Sequence, residues 1–140
     1  MKLLKKILIA LFLLFVLIQV VRPARLNPPV TLPLEAPEDV LAVLRESCFD
    51  CHSNETNWPW YSHVAPFSWL VAHDVNEGRE HLNFSDWGGL DQRARRELGE
   101  ECIEEIAEGE MPLWFYTPLH SGSRVDGTEL AALRTWAESL

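Results

Sequence analysis

Residues 47–54 read "SCFDCHSN", which sets the thiols of Cys48 and Cys51 three positions apart, with the imidazole of His52 directly behind the second. Cys-x-x-Cys-His is the pattern of covalent haem attachment, in which two thiols add to the haem vinyl groups and the histidine ligates the iron. Two residues between the cysteines, on roughly one helical turn, separate the sulfurs by about the span of the vinyls and turn the next side chain toward the ring centre. Cys48 and Cys51 are thus the expected thioether anchors of one haem c, and His52 its proximal ligand.

Three other uses of the motif compete. A thioredoxin-type redox pair requires a βαβ setting, and no convincing period-2 strand is present. A structural zinc site requires two further ligands; Cys102 with His63 or His73 could supply them, but no second close pair exists. A plain disulfide leaves the position of His52 unexplained.

Iron in an electron-transfer haem is closed on its other face by Met or His. Besides Met1 the one methionine is Met111, in Gly109-Glu110-Met111-Pro112, where glycine ends a helix and proline stiffens the loop beyond it. Met111 is the expected distal ligand, against the alternative that it fills a core gap. The competing ligands are His120 and His73, ahead of His63 and His81. An open sixth position would instead suit a redox or gas sensor or a small peroxidase.

Around the motif the chain reads as helical. Pro37 is a favoured first-turn residue, and Glu38 and Asp39 meet the positive end of the helix dipole. Val40, Leu41, Leu44 and Cys48 then share a face, so this helix delivers the cysteines to the core. A second helix, Phe67 to about Leu82, carries Leu70, His73, Glu77 and His81 on one stripe. A third, about Asp91 to Glu108, turns Ala94, Leu98, Cys102 and Ile106 inward. A last, about Thr128 to Leu140, aligns Leu130, Leu133, Ala137 and Leu140 beside Trp136. Residues 38–140 form the expected domain, all-α with long loops and a core thin enough to need a filler. Of the six tryptophans, Trp58, Trp60 and Trp114 flank the proposed ligands and are the expected pocket aromatics. Cys102 is expected to be a buried small hydrophobe.

Upstream, residues 1–21 place Lys2, Lys5 and Lys6 before an apolar run from Ile7 to Ile18. No Ala-x-Ala site comes after the run, which favours an uncleaved signal anchor, a transmembrane helix, over a cleaved signal peptide. The length speaks the other way, since a full span wants about 20 residues. The lysines would leave the N-terminus in the cytoplasm of a bacterium, making the protein single-pass in the cytoplasmic membrane with its domain in the periplasm or outside. Residues 22–37 hold Pro23, Pro28, Pro29, Pro33 and Pro37, a composition suited to an extended tether.

Residues 1–25 take all three lysines together with Arg22 and Arg25, so that beyond them seven arginines face all 21 acidic residues. Such an acidic balance argues against nucleic acid or an anionic lipid surface as a partner and permits docking to a basic redox protein.

The order of "CFDCHSN", "NEGREHLNFSDW" and "GEMPLWFYTPLH" resembles the bacterial haem-binding domain family, small c-type haem proteins, over nearly all of the chain after the linker. More distantly it is similar to single-haem cytochromes c, in which a haem-binding helix packs on a C-terminal helix and a Met-Pro loop supplies the distal sulfur. The resemblance implies a cytochrome c-like fold in which Cys48, Cys51, His52 and Met111 take the matching roles. The aromatic insert from Asn57 to Trp87 departs from that pattern. One-electron transfer without catalysis is the function these readings imply.

Overall fold

Six α-helices form along the chain and no strand does: α1 (Lys2–Ile18), α2 (Glu38–Ser47), α3 (Phe49–His52), α4 (Phe67–His81), α5 (Gln92–Glu108) and α6 (Gly127–Ala137), in a computed structural model describing residues 1–140. Local chemistry fixes their ends. Pro37 precedes α2, and Glu38 and Asp39 occupy its first turn. The Asp91 carboxylate accepts from the Ala94 amide to open α5, and Gly109 closes it in the left-handed conformation at φ 80°, where a side chain would be strained. Asp126 and Glu129 form a reciprocal capping box at the start of α6.

The core lies where α2, α6 and the segment after α4 meet. Val40, Leu44, Leu133 and Trp136 are buried there together with Phe84 and Trp87. Aromatic rings run through it in sequence: Phe49 stacks on Phe84 at 5.3 Å, Phe84 meets Trp87 at 5.8 Å, and Trp87 meets Trp136 at 5.6 Å. Leu98, Cys102 and Ile106 of α5 pack half-buried against this cluster, as their spacing predicts.

Helix α4 turns a different face inward from the one its stripe suggests. Ser68, Ala72 and Val75 are buried, while Leu70, His73, Glu77 and His81 are exposed. Burying the His and Glu groups would strip them of water, so the small and apolar side chains take the inner face.

The proline-rich segment lies along the domain instead of hanging free. Leu34 is buried; its N–H donates to the Phe84 carbonyl at 2.8 Å, and Leu32 exchanges bonds with Ser85 and Gly88. Arg79 of α4 donates to the carbonyls of Leu26 and Ser53 and to Thr56 Oγ1, tying the segment to the loop after the cysteine motif.

The N-terminal segment corrects the expectation of a membrane anchor. Helix α1 has 17 residues, and no helix of the structure is long and apolar enough to cross a membrane. At about 1.5 Å per residue α1 reaches roughly 26 Å, short of a hydrocarbon core of about 30 Å, and its first turns are spent on three lysines. The transmembrane helix, the single-pass placement and the sidedness inferred from it fall together. None of α1 is buried. Its exit is fixed to the domain at Gln19, whose side-chain amide donates to the Ala65 carbonyl at 3.1 Å and accepts from the Ala65 N–H at 2.9 Å.

Candidate functional site

The cysteine motif forms its own short helix because Cys48 breaks the line between α2 and α3, and α3 then packs on α4. The closest approach is at Gly78: a Cβ there would stand 2.8 Å from the carbonyl oxygen of Cys51. This approach lets the imidazole of His52 reach the end of α4. His52 Nδ1 lies 3.0 Å from the Gly78 carbonyl oxygen and 3.2 Å from that of Leu82. Since both partners are acceptors, Nδ1 carries the proton and Nε2 is left with its lone pair. Burial lowers the His52 pKa, which keeps the ring neutral.

Two adjoining hollows meet at this histidine. One, of about 610 Å³, is walled by Cys48, Cys51, His52, Met111 and Tyr116, with Asp50, Asp74, Glu77 and Glu80 at its rim. The other, of about 280 Å³, is mostly apolar and reaches the core through Leu98, Ile106, Leu133 and Trp136. Cys48, His52, His81 and Met111 belong to both. No lysine or arginine lines either one.

Neither motif cysteine is in a disulfide. Burial pushes both thiols up to about 12, with the Asp50 and Asp74 carboxylates adding to the effect at Cys51. No three His, Cys, Asp or Glu side chains are grouped to hold a bare metal ion. Cys102 lies beside Cys48 in the smaller hollow, whereas His63 and His73 line neither hollow, so the four-ligand zinc set does not assemble.

Residues 13–139 match the model of the haem-binding domain. The chain belongs to the haem-binding domain family. No curated protein and no solved structure matches it. The haem-binding domain offers what such a group needs: a hollow within the usual size of cofactor pockets, an apolar inner wall, two free thiols and an imidazole nitrogen with no protein partner.

The remaining sequence-predicted residues are distributed unevenly. Met111 lines the same hollows as His52. His120 does not; its Nδ1 bonds the Tyr116 carbonyl at 3.0 Å and its Nε2 lies 3.3 Å from the Tyr61 hydroxyl. His73 is exposed and paired with Glu77 at 3.3 Å. Trp60 and Trp114 are 78% and 80% exposed, and Trp58 donates to Asn27 Oδ1 at 3.1 Å; none of the three lines either hollow. The aromatics that do are Tyr116, Phe84 and Trp136. His81, bonded to Glu101 at 2.8 Å, also reaches the hollows. Sequence reasoning missed Gly78, Leu82 and Tyr116, whose parts depend on contacts between segments more than 25 residues apart.

Proposed function

We propose that Cys48 and Cys51 hold one haem c through two thioether bonds, that His52 and Met111 are its axial ligands, and that the domain carries single electrons. The haem would supply a one-electron iron couple. The observation that carries the reading is the doubly anchored Nδ1 of His52, in a hollow that also contains the thiols and Met111. Donation from Nδ1–H to two carbonyls fixes the ring and raises the basicity of Nε2, the arrangement of a metal-ligating histidine.

Each neighbouring group has a part. Leu98, Ile106 and Trp136 keep water from the inner wall and so favour a low local dielectric. Iron held by both His52 and Met111 would leave no place for substrate, which favours a carrier over a catalyst. The rim carboxylates Asp74, Glu77 and Glu80 would attract a partner with a basic surface.

Mixing the reduced protein with carbon monoxide tests the closed site. Slow binding supports a carrier; rapid binding without denaturant would replace it with a sensor or small peroxidase having an open sixth position.

A further inference from the structure

The Tyr116 hydroxyl donates to Asp50 Oδ2 at 2.8 Å. Asp50 belongs to α3, between the two cysteines, and its Oδ1 accepts from the Asn57 N–H at 2.8 Å. Tyr116 belongs to the loop that carries Met111, five residues downstream. Its ring stacks on His120 with centroids 3.7 Å apart and planes at 12°, and His120 in turn meets Tyr61. Apart from the turn at the end of α5 and the turn at Ser123, the Tyr116–Asp50 and His120–Tyr61 bonds are the ones that tie residues 111–121 to other parts of the molecule.

Asp50 and Tyr116 also stand in the walls of three separate hollows. These are the haem-binding hollow, an apolar groove of about 580 Å³ lined by Trp60, Phe67 and Leu113, and a polar cleft of about 530 Å³ lined by Arg45 and Glu55. One O–H···O bond therefore closes the boundary between the haem-binding hollow and a groove suited to small non-polar molecules. A hydroxyl bound to a carboxylate makes a stronger bond than a neutral pair, so the boundary is well held.

We propose that the Asp50–Tyr116 hydrogen bond is a latch that positions the Met111 loop and limits entry of small neutral ligands from the apolar groove. Resting on the ligand assignment proposed above, it makes Asp50 and Tyr116 positioning residues, neither of them bound to iron. The latch joins the two sides of the site directly, because its carboxylate sits inside the cysteine motif and its hydroxyl in the distal loop.

The test is the rate of carbon monoxide binding to the reduced, haem-loaded full chain, compared among the parent, Met111→Ala, Tyr116→Phe, Asp50→Ala and Asp50→Asn. Tyr116→Phe keeps the ring and its stacking on His120 and removes the hydroxyl alone. Tyr116→Phe and Asp50→Ala are expected to bind about tenfold faster or more, the loss of one charge-assisted bond, with haem content unchanged. Asp50→Asn, whose amide oxygen can accept the same bond, is expected to stay close to the parent. If Met111→Ala is faster while Tyr116→Phe and Asp50→Ala match the parent, the latch is overturned and the ligand assignment stands. A Met111→Ala rate equal to the parent's overturns both. Should Asp50→Ala fail to load haem, Tyr116→Phe decides alone.

Discussion

His52 Nδ1 stands 3.0 Å from the carbonyl oxygen of Gly78, and the helix bearing that carbonyl can come so near only because residue 78 has no side chain. The orientation of the proposed iron ligand is thus set by a backbone contact between α3 and α4.

Gly78→Ala tests the contact. The added Cβ meets backbone at 2.8 Å and cannot be relieved by a rotamer change. Overpacking of this kind costs about 1–3 kcal/mol. Denaturant unfolding of the haem-loaded protein should show that loss together with a disturbed iron spectrum; unchanged stability would mean that α3 and α4 have room to part without cost.

Met111→Ala should leave the haem attached while lowering the reduction potential, by part of the roughly 0.8 V range that axial ligands span. Potentiometric titration reads this directly. An unchanged potential would return Met111 to the role of core filler.

Phe84 is 1% exposed, stacks on Phe49 and meets Trp87 with its ring tilted. Its replacement by Ala should destabilise the fold by about 3–5 kcal/mol, measured as a fall in the denaturant midpoint at constant slope.

Cys102 gives a dependence on alkaline pH. Burial, aided by Glu101 and Glu105, pushes its thiol from 9.0 up to about 12. Between these values the unfolded chain loses the proton while the folded chain retains it. The stabilisation is therefore complete below pH 9 and declines as pH rises toward 12. Cys102→Ala should flatten the decline in unfolding free energy across that interval; an identical decline in the variant would assign it to other groups.

Much of the scaffold was legible because its signals are local. Pro37 with Glu38 and Asp39 announces the start of α2, Gly109 the end of α5, and the spacing of Leu98, Cys102 and Ile106 the inner face of α5. The cysteine motif and Met111 were legible as chemistry, and the fold brings them to one hollow. Proximity in sequence misled for Trp60 and Trp114, whose side chains are exposed, and for Trp58, which bonds Asn27 instead, while Phe84 and Trp136 arrive from remote segments. The α4 stripe failed for a similar reason: periodicity finds a face but not which face meets a neighbour, and the buried face is that of Ser68, Ala72 and Val75. In the leader, apolar composition and the missing cleavage site point to a span, but the shortness of the run that argues the other way decides.

The central claim is that Cys48 and Cys51 carry a covalent haem, and intact mass under denaturing conditions tests it most directly. The protein is made in a host with haem-attachment machinery, and a pyridine haemochrome spectrum is recorded alongside. A mass increase of one haem with a c-type spectrum, lost in Cys48→Ala/Cys51→Ala, is the predicted result. A bare polypeptide from the same competent host would contradict it.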